Sequence, residues 1–163
     1  WLDSFMQKRY KNLPLRNGVG IVLLNKENKV FVAKRLDNPK NFWQMPQGGV
    51  DKNEDFLTAA LRELKEETSI ESVELIKEID GTTTYELPNN LLGIIWKGKY
   101  KGQTQKWFLM RFNGIESEIN LKTNHPEFLE YKWIDLEKIT DVVVKFKLDV
   151  YEIIKKRVKE IIN

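Results

Sequence analysis

The chain has 163 residues, 41% hydrophobic and 31% charged, with a formal net charge of +3. That length predicts one domain over residues 1–163 with a packed core, and the mild basicity suits an anionic ligand without forming a polybasic tail. Cysteine is absent and His125 is the single histidine, which excludes disulfides, thiolate nucleophiles and zinc sites of the Cys/His kind.

Acid–base chemistry must therefore come mainly from carboxylates, lysine or a metal ion. His125 lies in the turn-like "TNHPEF" and reads as a surface loop residue.

The opening segment, "WLDSFMQKRYKN", lacks a long apolar stretch and carries no functional weight here. No apolar run approaches 18 residues, so no membrane span is expected, and the missing cysteines suit a cytoplasmic location. "GVGIVLLN" and "KVFVAKR" flank the polar "KEN", which predicts a β-hairpin over 18–35. "LDNPKNFWQMP" carries two prolines and predicts an irregular connection. Residues 53–67 predict a helix, with Phe56, Leu57, Ala60, Leu61 and Leu64 on one face. "SVELIKEI", "TTTYEL", "QKWFLMRF" and "FLEYKWIDL" predict strands. From about Leu148 to Ile162, Val150, Tyr151, Ile154, Val158 and Ile161 recur at helical spacing. The expected class is α/β, with strands outnumbering helices.

Two glycine motifs are set aside. "GIIWKGKY" spaces Gly93, Gly98 and Lys99 like a phosphate-binding loop, but Tyr100 stands where a magnesium-binding Ser or Thr belongs. "GVGIVL" opens like a dinucleotide fingerprint, but Leu23 occupies the third glycine position.

The helix over 53–67 carries Glu63, Glu66 and Glu67 close together. At about 100° per residue, Glu63 lies about 40° from Glu67 and about 60° from Glu66, on one flank of the apolar stripe. Like charges so placed repel, and carboxylates near a core also lose hydration. Arg62 offsets part of this by pairing with Glu66 at four-residue spacing. A hard divalent cation, Mg²⁺ or Mn²⁺, offsets it more directly through oxygen coordination. A solvated charged face is the alternative if the glutamates stood alone.

They stand inside a longer pattern over residues 48–70. Gly48 is followed after five residues by Glu54, after seven more by Arg62-Glu63-Leu64-any-Glu66-Glu67, and then by the aliphatic Ile70. Six fixed identities at ordinary usage arise by chance at about one in ten million starting positions. This pattern resembles the signature of the Nudix hydrolases. It departs at Ser69, where that family has glycine; a serine in a left-handed cap costs about 1 kcal/mol unless the turn is remodelled. "VGIVLLN", "VFVAKR", "WQMPQGG", "GQTQKWFL", "PEF" and "KFKLDVY" are similar to the branch of the family that acts on 5′-phosphorylated RNA, also described as diadenosine polyphosphate hydrolases.

The resemblance implies an αβα sandwich with a mixed sheet. It implies metal-dependent removal of 5′-terminal phosphates from tri- or diphosphorylated RNA, leaving a monophosphate and opening the RNA to decay. Dinucleoside polyphosphates are the alternative substrate. DNA is not expected as a partner, and a monomer is. By the same resemblance Glu63, Glu66, Glu67 and Glu127, with the carbonyl region of Gly48, bind Mg²⁺ or Mn²⁺, with more than one ion during turnover. Glu63 is the expected base and Glu127 its rival. Glu54, Arg62 and Ile70 complete the box structurally. Arg16, Arg35, Lys106 and Lys147 are expected near phosphates, and Tyr85 and Phe146 near a base. Trp43 and Trp107 read as packing.

Overall fold

The computed structural model describes residues 10–37 and 40–163; the expectation for the opening segment, residues 1–9, and for Pro39 lies outside the described residues. Seven strands form one sheet: β1 Leu15–Leu24, β2 Val30–Arg35, β3 Gln47–Gly49, β4 Val73–Glu78, β5 Thr83–Glu86, β6 Gly102–Phe112 and β7 Phe128–Ile134. The helices are α1 Phe56–Thr68, the short α2 Ile139–Val142 and α3 Leu148–Ile162. The main strand order is β4-β6-β1-β2-β7, with β5 also on β6 and β3 also on β1. β1 and β6 run parallel from Leu15↔Gly102 to Leu24↔Arg111, and the remaining pairs are antiparallel, so the sheet is mixed as expected.

Both sheet faces are covered, which explains the nearly unbroken apolar run of β1. On one side Val19, Ile21, Leu23, Phe31 and Phe108 pack against Ala59, Ala60 and Leu64 of α1. On the other, Val22, Leu24, Val32, Trp107 and Leu109 pack against Val150, Tyr151, Ile154 and Val158 of α3. Each such aliphatic side chain contributes about 1.5–3 kcal/mol on burial. Trp43 and Trp107 are both buried in the α3-side core.

The hairpin differs from its sequence reading in a way that builds the site. β1 and β2 pair only next to their turn, at Leu24↔Val30, and then splay. The segment expected to be irregular is wedged between them. Gln44 exchanges backbone hydrogen bonds with Ala33 of β2, while Ile21 N donates to Pro46 O and Gly48 pairs with Val19 of β1. Tyr151 of α3 anchors the wedge by accepting a hydrogen bond from Met45 N at 2.8 Å. Proline at 46 removes a donor, not the acceptor that β1 uses, so it is tolerated there.

α1 starts at Phe56, three residues later than expected, because the Asp55 side chain caps it by accepting from Thr58 N at 2.7 Å. Residues 51–54 form a turn instead, closed by Glu54 N to Asp51 O and by Asp51 N to the Glu54 carboxylate. The buried line runs Ala60, Leu64, Glu67 and Thr68, leaving Phe56 and Leu61 exposed, contrary to the predicted face. That rotation carries Glu67 into the interior. At the helix end Ser69 keeps the left-handed conformation at φ 66° and ψ 7°. Its hydroxyl donates to Asn120 O at 2.8 Å, a contact glycine could not make.

Candidate active site

Arg62 organises the box. Its Nε and Nη2 clamp the Glu54 carboxylate at 2.7 and 2.9 Å, Nη2 also reaches Gly49 O at 2.8 Å, and Nη1 donates to Glu63 at 2.8 Å and Glu66 at 3.1 Å. The box loop is thereby tied to the helix. Glu54 spends both oxygens on Arg62 and the Asp51 amide, which hold its carboxyl down at about 2, so it remains an anion and a structural strut.

The three helix glutamates meet different surroundings. Their exposures are 58% for the Glu66 side chain, 14% for that of Glu63 and 2% for Glu67 as a residue. Burial pushes the Glu63 carboxyl up against the pull of Arg62. Glu67 is raised much further, first by burial and then by the charges of Glu127 and Glu63. Glu127 comes from the loop before β7 and reaches Glu67 because Leu36 N binds Glu127 O at 2.9 Å, fixing that loop to the end of β2. Gly48 completes the group by its missing side chain: a Cβ there would overlap the Glu63 carboxylate.

These residues fit a divalent cation. Glu67 Oε2 is buried with no hydrogen-bond partner, and Glu63 and Glu127 carboxylates surround it electrostatically. A hard cation supplies the partner that such an oxygen lacks. Among the described residues no three carboxylates converge on one point, because Arg62 draws Glu63 and Glu66 toward itself.

Charge links this group to the α3 side of the sheet, because Glu67 acts on both Arg35 and Lys147. Lys147, just ahead of α3, is buried with its Nζ 5.4 Å from the Tyr85 ring and 5.8 Å from the Phe146 ring. Burial and the nearby Arg35 lower its ammonium to about 7, while Glu67 pulls the other way. Arg35 holds Asp37 bidentately at 2.8 and 2.9 Å and feels Glu127 and Glu67. Tyr85, pushed up to about 12 by burial, is hydrogen-bonded to Gln47 and lies in the field of both Arg16 and Arg35. Arg16 donates to Gln103 at 2.8 Å and fills the space beside Gly49. Gly48 and Gly49 thus admit Glu63 from one face and Arg16 from the other.

Most predicted residues are therefore joined in one network of charge and ring contacts. Lys106 does not join them: it donates to Gly81 O at 3.1 Å and lies 3.9 Å from Glu78, on the β4–β5 connection. His125 is an exposed loop residue, as read. Sequence reasoning passed over Gln103, Gln105 and Asp37. The alternation in "GQTQKW" was the available signal, since Gln103, Gln105 and Trp107 share one strand face.

A NUDIX domain model matches residues 14–156, and the chain belongs to the Nudix family. Within it, the chain is 76% identical over 152 residues to the RNA pyrophosphohydrolase of Pelagibacter ubique (strain HTCC1062), covering 93% of this chain and 96% of that protein. It is 50% identical over 141 residues to the RNA pyrophosphohydrolase of Roseobacter denitrificans, covering 85% and 88%. The solved Escherichia coli dihydroneopterin triphosphate pyrophosphohydrolase superposes with a TM-score of 0.64 at 24% identity, over 85% of this chain and 95% of that one, a likeness of fold. No helix among the described residues is long and apolar enough to cross a membrane.

Proposed function

We propose that this Nudix hydrolase removes terminal phosphates from 5′-triphosphorylated or diphosphorylated RNA in the cytoplasm, acting with Mg²⁺ or Mn²⁺ and leaving a 5′ monophosphate. The observation that carries the reading is the coupling of two charged groups: Glu63, Glu66, Glu67 and Glu127 on one side, Arg35 and Lys147 with Tyr85 and Phe146 on the other. A polyphosphate attached to a nucleoside needs both. The similarity to RNA pyrophosphohydrolases along nearly the whole chain supports the RNA substrate.

Each residue then has a task. Glu63, Glu66, Glu67 and Glu127 would hold the cations, which supply charge neutralisation at adjacent phosphates and acidify the attacking water. Arg62 keeps the Glu54 loop and the helix in one unit. Glu63 accepts the proton of the attacking water at its carboxylate. Lys147 and Arg35 bind phosphate oxygens. The Tyr85 and Phe146 rings, 5.7 Å apart, border the nucleobase.

The experiment is product analysis with Mg²⁺ on a short 5′-triphosphorylated RNA set against diadenosine tetraphosphate. Monophosphorylated RNA formed at the higher kcat/KM supports the reading. Faster cleavage of the dinucleotide would transfer the function to that substrate. Cleavage of neither would make the domain a binding module.

A further inference from the structure

The segment between β5 and β6, set aside above as a phosphate loop, has a different character in the structure. From Leu87 to Ile115 the chain holds no Asp or Glu, yet carries Lys97, Lys99, Lys101, Lys106 and Arg111. Within "IIWKGKYK" two aromatic residues alternate with three lysines. Lys97 and Lys99 are exposed, and among the described residues neither has an ion-pair partner within 4 Å, whereas Lys101 reaches Glu86 at 3.5 Å.

The backbone is held in an unusual shape. Trp96 and Lys97 adopt φ of 52° and 57°, followed by Gly98 at 72°. Two non-glycine residues in the left-handed region cost about 1 kcal/mol or more each and persist only where surrounding contacts fix them. Those contacts are present. Leu87 N binds Lys101 O, Lys101 N binds Pro14 O, Lys99 N binds Trp96 O, and Leu92 is buried in the α3-side core. The loop is preorganised, and it presents half-buried Trp96 and Tyr100, 6.2 Å apart at 76°.

It also adjoins the active site. The Arg16 guanidinium lies 5.3 Å from the Trp96 ring centroid, and Arg16 in turn flanks Gly49 and acts on Tyr85. Aromatic and cationic side chains therefore continue from Phe146, Lys147 and Tyr85 through Arg16 to Trp96. A single nucleotide does not need so long a band. A single strand running away from its 5′ end does, because backbone-tracking cations with aromatic faces are what such strands bind.

We propose that the 94–101 loop is a second contact surface for single-stranded RNA, taking a nucleobase 3′ of the terminal nucleotide against Trp96 and Tyr100 and its phosphates on Lys97 and Lys99. The inference rests on the RNA reading above and adds strand-length recognition to it.

The test compares equilibrium binding of AMP and of a 5′-monophosphorylated tetraribonucleotide. Wild type binds the tetramer more tightly. Trp96→Leu lowers tetramer affinity by about 5- to 150-fold, the range of one lost base stack, and keeps the affinity for AMP. Lys97→Glu with Lys99→Glu flattens the salt dependence of tetramer binding by more than one phosphate's share, about 0.7 in logarithmic slope, and leaves that of AMP alone. An equal loss for AMP and tetramer in Trp96→Leu would make Trp96 a support for Arg16 and overturn the surface. So would equal affinities of wild type for AMP and tetramer, or an unchanged salt slope in the lysine pair, which decides the matter if Trp96→Leu fails to fold. Wild type that hydrolyses triphosphorylated RNA without any gain from strand length sinks this inference alone; wild type inert on that RNA sinks the function reading instead.

Discussion

The two sides of the sheet handle buried charge differently. On the α1 side the acids come with an internal cation: Arg62 contacts Glu54, Glu63 and Glu66 at once, all within one continuous stretch of chain. On the α3 side Lys147 is 7% exposed, and the negative group that favours its charge is Glu67, from the opposite layer. Arg62 compensates Glu54, Glu63 and Glu66, whereas Glu67 of the same helix keeps a carboxyl oxygen without a hydrogen-bond partner and Lys147 has no ion-pair partner within 4 Å among the described residues. On the function proposed above, a metal–polyphosphate complex would satisfy both at once. The contrast teaches that local sequence built the strut, while the packing of distant layers buried Glu67 and Lys147.

The largest expected effect comes from removing the buried Glu67 carboxylate. Glu67→Gln reduces kcat at least about a hundredfold, as loss of a metal ligand does, while the fold persists. Wild-type turnover in this variant would remove Glu67 from the metal site.

Divalent cation comes next. At a hundred times its dissociation constant, Mg²⁺ or Mn²⁺ stabilises the protein by about 2.7 kcal/mol. At a fixed metal concentration the gain grows with pH, because protons compete with the cation for the carboxylates. Glu67 and Glu63 have folded-state carboxyls raised above their ordinary value, so without metal their contribution to stability is present at low pH and lost as pH rises through the folded values. Melting curves at pH 5 and pH 8, with and without metal, measure this, and Glu67→Gln shrinks the response.

Lys147→Met tests the other side and has the opposite pH slope. The folded ammonium titrates near 7 against an ordinary 10.5, so the unfolded chain binds more protons between those values and wild-type stability rises with pH across that window. The methionine variant lacks this rise. It is more stable than wild type by about 1–4 kcal/mol below pH 7, an advantage that fades toward pH 10, and it binds RNA more weakly. Urea unfolding at pH 6.5 and 9.5 with paired binding assays measures both. A variant less stable than wild type at pH 6.5 would mean that Lys147 is compensated after all.

The smallest effect is expected at Ser69→Gly. Glycine relieves the left-handed strain by about 1 kcal/mol but loses the hydrogen bond to Asn120, so stability changes by less than about 1 kcal/mol with activity retained. A larger drop would show that the serine contact holds the end of α1.

Much of this was legible in the chain itself. Fixed spacing of Gly48, Glu54, Arg62, Glu63, Glu66 and Glu67 defined the box, because a helix puts residues three and four apart side by side whatever surrounds it. Period-two and helical patterns located β1, β2, β4, β5, β6, β7, α1 and α3 to within a few residues. β3 escaped because three residues of "QGG" carry no pattern, and its pairing depends on β1 and β2 parting.

The tertiary structure alone decided the rest. Local periodicity put Phe56 and Leu61 inside, but Ala59 and Glu67 went inside instead, because the face a helix buries is set by the shape of the sheet it meets. Lys106 and Lys147 are both lysines in segments of similar promise; one is spent on Gly81 and Glu78, the other is buried beside Tyr85, Phe146 and Arg35. Residue types and short-range spacing are properties of the sequence. Burial, and therefore the state of each charge, is a property of which distant segments are brought together around it.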